Sequence, residues 1–315
     1  MEFGFYLPTH GPLATRQNLL KISEHAEKLE FDSMVAGDHV IAPINPTSQY
    51  PYSVGSEVPW DSSGEHLEMI TELAFLAAAT QKIKLVTSVM IVPHRNPILT
   101  AKMLSTLDVL SEGRLVVGIG VGWLKEEFDA LKTPPFNRRG KATDEYIEIF
   151  KTLWGEKEPS YQGEFYSFEP IQFAPKPVQI PGPDIWVGGQ SRAAIRRAAK
   201  LGNAWHPVGA NPASPLEPEE MVEEIAYLET YCESLNRDPS EVTVVLKAPI
   251  YDKENNYGGK RRRFSGSPEQ IHNDIAEYQN LGVSHLVLDT RSSELNQSIE
   301  KMDWLHEEVI AKSKT

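Results

Sequence analysis

Arg114-Leu115-Val116-Val117-Gly118-Ile119-Gly120-Val121-Gly122-Trp123-Leu124-Lys125-Glu126-Glu127-Phe128 is a β-branched apolar run that ends in alternating glycines and opens directly into a helical pattern. That is the grammar of a strand-to-helix turn that binds phosphate: glycines let the backbone approach an anion, and the helix adds the positive end of its dipole. The spacing is G-x-G-x-G rather than the G-x-G-x-x-G of a dinucleotide fingerprint. It also lies deep in the chain, with no acidic residue closing a strand about 20 residues on. A purely structural reading, in which the glycines admit close strand–helix packing, carries equal weight at this stage.

Working outward, strand-like and helix-like patterns alternate from end to end. Strands are expected at 2–7, 33–37, 84–92, 114–119, 184–187, 204–207, 242–250 and 285–289. Helices are expected at 18–29, 65–80, 97–110, 123–131 with 143–154, 191–201, 218–235, 268–281 and 294–311. Eight strands, each followed by a helix, predict a (β/α)8 TIM barrel, a single domain over 1–315, ahead of an open doubly wound sheet. Ser267-Pro268-Glu269-Gln270 reads as a capping box with proline at the first helical position, and Gly282 stands where a helix C-cap wants a left-handed residue. Three segments fit no βα unit: 43–63, 161–181 and 252–266. The first two are expected as long loops on the C-terminal rim, where barrels build their sites, and the third, with Lys260-Arg261-Arg262-Arg263, as either a solvated loop or a basic lid.

Composition bounds the setting. A formal charge of −13 argues against nucleic acid or an anionic membrane as partner, and one cysteine among 315 residues excludes an internal disulfide and Cys-based metal clusters. A cytoplasmic protein is expected, since 1–4 lacks a basic leader and no segment reaches membrane-spanning length. No His-x-x-x-His or paired carboxylates stand at metal-ligand spacing, so no metal is expected.

Candidate chemistry lies at strand ends. Asp38-His39 follows Met34-Val35-Ala36, which places an imidazole suited to proton transfer at the mouth of the second strand. Asp38 beside it would orient that ring or cap the turn. His94, Arg95 and Asn96 follow the third strand, although Asn96-Pro97 is also a good helix start. Ile185-Trp186-Val187 runs into Gly188-Gly189-Gln190-Ser191 and a helix bearing Arg192, Arg196 and Arg197, a second glycine-plus-helix anion site.

Asp38-His39, Thr87-Ser88-Val89, Gly118 to Trp123 with Glu126-Glu127-Phe128, Arg139-Gly140, and 183–191 followed by Ala193-Ala194-Ile195-Arg196-Arg197-Ala198-Ala199 together resemble the luciferase-like monooxygenase superfamily, over nearly the whole chain. The resemblance is closest to the branch that uses the deazaflavin coenzyme F420. It implies that Asp38 and His39 meet the deazaflavin and act in proton transfer, and that Ser88-Val89 is a non-proline cis peptide backing the ring. It further implies that Gly120, Val121 and Gly122 form the ribityl and phosphate loop, that Gly188-Gly189 is a second phosphate turn, and that Asn96 is a polar ring contact. Where a sugar-phosphate dehydrogenase of the family carries a catalytic glutamate after the third glycine, this chain has Trp123. With the aromatic loop of Tyr50, Tyr52 and Trp60, that implies an apolar or aromatic substrate, bound by Trp123 and Trp60. The expected activity is F420-dependent hydride transfer to or from a small organic molecule, in a homodimer. The alternative is an FMN-dependent monooxygenase served by a separate flavin reductase.

Overall fold

The computed structural model describes residues 1–55, 64–251 and 253–313. Eight parallel strands close on themselves: β1 (Glu2–Tyr6), β2 (Ser33–Ala36), β3 (Lys84–Thr87), β4 (Leu115–Gly120), β5 (Asp184–Gly188), β6 (Ala204–His206), β7 (Thr243–Pro249) and β8 (Val283–Asp289). Each pairs with its sequence neighbours, and the ring is shut by β1 on β8, with Phe3 beside Leu286, and by β3 on β4, with Leu85 beside Leu115. The expected (β/α)8 barrel is the observed fold.

Parallel strands covered on both faces must be apolar throughout, which is why these runs show so little alternation in sequence. The pleat nevertheless sorts them. On β1, Phe3 and Phe5 face the surrounding helices, while Gly4 and Tyr6 face inward. One residue from each strand fills the barrel centre, including Val35, Val86, Trp186 and Val287. A Cβ on Gly4 would stand 2.2 Å from Ser33 Oγ, so only glycine leaves room for the buried Ser33–His285 hydrogen bond of 2.9 Å.

The outer layer comprises α1 (Arg16–Lys28), α2 (Met69–Ala77), α3 (Pro97–Leu110), the short α4 (Lys125–Leu131), α5 (Arg139–Gly155), α6 (Arg192–Leu201), α7 (Pro218–Ser234), α8 (Pro268–Asn280) and α9 (Leu295–Leu305). Their ends follow local chemistry. The Ser267–Gln270 capping box is formed, Gly282 takes φ +95° after α8, and Asn96 Oδ1 accepts from Leu99 N–H ahead of Pro97. No helix among the described residues is long and apolar enough to cross a membrane.

Two expectations change. The third strand does not run unbroken over 84–92: β3 stops at Thr87, the Ser88–Val89 peptide is cis, and Met90–Ile91 rejoins the sheet beside Ile119 and Gly120. The segment 161–181 does not leave the end of a strand at the C-terminal rim, and reaches that end only where Tyr166 meets Asn96. It follows a helix rather than a strand, so it starts from the opposite end of the barrel and runs along the outer flanks of α3 and α5. There Glu145 accepts the N–H groups of residues 164–166, and Asp108 accepts those of Val178 and Gln179.

Candidate active site

A cavity of about 260 Å³ opens among the C-terminal ends of the strands. Its wall is made where β3 breaks. Val89 projects between the ends of β4 and β5, and a Cβ at Gly120 would stand 2.6 Å from Val89 Cγ2, one at Gly188 2.8 Å from Val89 Cγ1. Both strand-end glycines therefore answer first to this bulge. Gly122 (φ +81°) and Gly189 (φ +107°) then turn the chain off the strands in a conformation that side chains resist. Close packing thus accounts for the glycines at 120 and 188, and backbone conformation for those at 122 and 189. Ser88 is fixed as well. Its Oγ lies 2.9 Å from His206 Nε2, whose Nδ1 lies 2.8 Å from the Val245 carbonyl. A carbonyl only accepts, so Nδ1 carries the proton and the Ser88 hydroxyl donates to Nε2. Burial pulls His206 down to about 4, so it is neutral near pH 7.

Asp38 and His39 leave β2 side by side and do different things. Asp38 is buried and accepts from both Arg95 guanidinium nitrogens at 2.7 Å and from Ile91 N–H at 2.8 Å. Burial alone would raise its pKa, but the Arg95 hydrogen bonds and charge prevail and hold the carboxyl below its usual range. It is a fixed anion that anchors the start of the Met90–Ile91 strand. His39 lines the cavity, with its Nδ1 3.1 Å from Glu127 Oε2. The carboxylate that orients the histidine is thus Glu127 on α4, a partner that sequence reasoning had placed at Asp38.

Glu127 is fully buried, and its other oxygen accepts from Val40 N–H at 2.6 Å and Ile41 N–H at 3.2 Å. Burial opposes its ionisation, yet the His39 hydrogen bond and the neighbouring imidazoles hold its pKa down. A carboxylate against Nδ1 fixes the tautomer with Nδ1–H donating, so the lone pair of the neutral ring is on Nε2. Glu126, one residue earlier, accepts from the backbone and hydroxyl groups of Thr47 and Ser48 at 2.6–3.1 Å. Despite some desolvation those hydrogen bonds draw it to about 2. Consecutive glutamates thus tie the loop after β2 to the helix after β4, and this loop carries Tyr50 and Tyr52 to the cavity mouth.

Trp123 lines the mouth, edge-on to Tyr50 at 5.3 Å and to His39 at 6.0 Å. Trp60 lies outside the described residues. Asn96 stands apart from the rim cavity: its Nδ2 donates to Tyr166 Oη at 2.8 Å on the outer flank, and its Oδ1 caps α3. His94 packs edge-on to Phe128, buried and driven down in pKa by that burial, with Nδ1 4.0 Å from Glu127. The arginines of α6 also turn from the cavity, Arg192 to Glu224, Arg197 to Asp144 and Arg196 to the Tyr227 hydroxyl.

The basic run after β7 forms a small hairpin, Asn256–Tyr257 with Lys260–Arg261. Arg261 and Arg263 are clamped on Asp274 of α8, with Glu217 and Glu277 also on Arg263. Their charges are compensated, and that favours the solvated-loop reading over a basic lid.

Sequence reasoning missed the floor. Tyr6, Lys247, Asp289 and Arg291 converge there from β1, β7 and the end of β8. Arg291 and Asp289 form a bidentate pair at 2.7 and 2.8 Å. Lys247 Nζ lies 4.1 Å above the Tyr6 ring and 3.4 Å from the Ser88 carbonyl. Burial, helped by the Arg291 charge and opposed by Asp289, brings its ammonium down to about 7. The Tyr6 hydroxyl is buried, with no hydrogen-bond partner among the described residues.

The luciferase-like monooxygenase family model matches residues 1–257. An uncharacterized protein of Mycobacterium tuberculosis is 29% identical over 257 residues, covering 80% of this chain and 88% of that protein. The FMNH2-dependent dimethylsulfone monooxygenase of Pseudomonas putida is 32% identical over 174 residues, 55% of this chain and 46% of that enzyme, so the chain spans about half of it. Among solved structures, an F420-dependent secondary alcohol dehydrogenase in complex with an F420-acetone adduct superposes with a TM-score of 0.76 at 17% identity, covering 98% of both chains, which speaks to fold alone. By its family match and its closed barrel, the chain belongs to the luciferase-like monooxygenase family.

Proposed function

We propose that this enzyme transfers a hydride between coenzyme F420 and a small, largely apolar organic substrate, with His39 as the general acid or base. The observation that carries the reading is the His39–Glu127 couple, an imidazole held by a buried carboxylate and lining the same cavity as Ser88 and Val89. The residues fit a planar, polar-edged cofactor. Glycines at 120 and 188 leave the wall to Val89. Bound there, a deazaflavin supplies two-electron hydride chemistry. Val89 would back the ring, and the turns at Gly120–Gly122 and Gly188–Gly189 would hold the ribityl and phosphate portion. Trp123 and Tyr50 would exclude water and receive the substrate's apolar part. His39, with Nδ1–H held by Glu127, would take or give a proton at Nε2 as hydride transfer changes the charge on the substrate. Asp38 would serve by fixing Arg95 and the strand behind the bulge.

The second reading, an FMN-dependent monooxygenase, is favoured by the 32% identity to the Pseudomonas enzyme over 174 residues. Fluorescence titration of the purified protein separates the two. F420 is expected to bind more tightly than FMN, and tighter FMN binding would transfer the assignment to the second reading. In the F420-loaded enzyme, His39→Ala is expected to lower turnover by about 10²–10⁴-fold while cofactor affinity changes little. Unchanged turnover would remove His39 from the mechanism.

A further inference from the structure

The floor of the rim cavity carries a charge that the fold does not need. Lys247 sits at an inward position of β7, level with Val287 of β8, where an apolar side chain would fill the barrel at lower cost. Among the described residues no carboxylate lies within ion-pair distance of it, because Asp289 gives both oxygens to Arg291. Its one hydrogen bond, to the Ser88 carbonyl, is long at 3.4 Å. Beside it the Tyr6 hydroxyl, on a residue only 6% exposed, has no hydrogen-bond partner among the described residues. Buried donors left open in a cavity mark the place of a missing acceptor.

We propose that Lys247 and Tyr6 form a subsite for a negatively charged oxygen at the floor of the rim cavity, supplied by a substrate carboxylate, phenolate or enolate. The inference rests on reading this cavity as the redox site. It refines the substrate class: Trp123 and the tyrosines at the mouth take an apolar or aromatic body, while the floor takes an anionic oxygen. The neutral Asp289–Arg291 pair acts as a wall, its guanidinium 4.9 Å above the Tyr6 ring, and keeps the Lys247 ammonium from pairing with Asp289. An anion arriving beside an ammonium in this low-dielectric floor forms a charge-assisted hydrogen bond, and the tyrosine adds a second donor. The edge of the cofactor ring could present the same chemistry, so the test has two arms.

Benzoate, an aromatic carboxylate, is titrated calorimetrically into cofactor-free wild-type protein and into Lys247→Met, which keeps the length and removes the charge. F420 affinity is measured by fluorescence quenching in the same pair. Weakening of benzoate by tenfold or more, with F420 affinity held within threefold, places the anion on the substrate. Tenfold weakening of F420 places it on the cofactor. If neither ligand distinguishes Lys247→Met from wild type, or if wild-type protein binds benzoate no better than benzamide and F420 binding is unaffected, the subsite is overturned. The benzoate arm needs no cofactor, so it stands or falls independently of the F420 assignment. Tyr6→Phe, which removes only the unpartnered hydroxyl, repeats the test in a variant that keeps the core volume, with a three- to tenfold loss expected in the same arm. Loss in neither arm counts against the proposal.

Discussion

Replacing Glu127 by glutamine isolates its charge from its shape. In the native site one oxygen accepts from Val40 and Ile41, and the other lies 3.1 Å from His39 Nδ1. The substituted amide would keep the first set through its carbonyl and turn its NH2 toward His39. Two donors cannot share one hydrogen bond, so His39 would move its proton from Nδ1 to Nε2 when neutral, and Nε2 would cease to be a base. Turnover is then expected to fall by about 10²–10³-fold, most of what a positioned acid or base contributes. Stability is expected to change little, because two of the three hydrogen bonds survive. Glu127→Ala instead removes all three from a buried charged acceptor, at roughly 1.5–3 kcal/mol each before relaxation, and is expected to lose about 3–5 kcal/mol. Single-turnover hydride transfer, urea unfolding and the ¹⁵N signature of the His39 tautomer read these effects separately. Wild-type turnover in Glu127→Gln with an unchanged His39 tautomer would refute the argument, since neither can hold if the carboxylate sets the ring's protonation.

Gly120→Ala puts a Cβ 2.6 Å from Val89 Cγ2, which is expected to cost about 1–3 kcal/mol of stability by overpacking; Val89→Ala in the same chain should recover most of it, and a loss confined to cofactor binding, with no rescue, would reassign this glycine to the phosphate. Glu72 on α2 is buried, neither oxygen has a hydrogen-bond partner among the described residues, and burial with the nearby Glu68 charge pushes it up to about 8 from 4.5. A raised folded-state value means that its contribution to stability is complete below the unfolded value and is lost as pH climbs from about 4.5 to 8, by roughly 3–5 kcal/mol. Glu72→Gln should therefore stabilise the protein far more at pH 8.5 than at pH 5 in thermal melts, and an equal gain at both would contradict the titration.

The barrel was legible because its signals are local and repeated. Eight apolar runs separated by amphipathic helices with their own caps, such as Ser267 and Asn96, leave few other architectures. What the sequence concealed depends on which end of the barrel a segment enters from. Residues 161–181 look like a rim loop by composition, yet they follow α5, and chain direction alone places them on the outer flank. The break at Ser88–Val89 was equally invisible to periodicity, since Thr87-Ser88-Val89-Met90 continues the β-branched run. It appeared only through resemblance.

The site divides along the same line. His39 and Trp123 announced themselves as residues at strand ends and Ser88 and Val89 emerged through resemblance alone, whereas Tyr6 and Lys247 sit inside apolar strands and look like core. Lys247 did leave a signal: in Val245-Leu246-Lys247-Ala248-Pro249 it occupies the inward register with Val245, so a charge stood at a position whose period points into the barrel. Glu127 left a fainter one, because the second of two adjacent glutamates on a short helix reads as a solvated face until the tertiary fold carries the loop after β2 across it. The proton transfer proposed for His39 would therefore depend on a contact 88 residues apart in sequence, formed only when the helix after β4 docks against the end of β2. A cavity residue can be found from a strand's own pattern, but the carboxylate against its ring belongs to a βα unit two further along the barrel and is placed by tertiary packing.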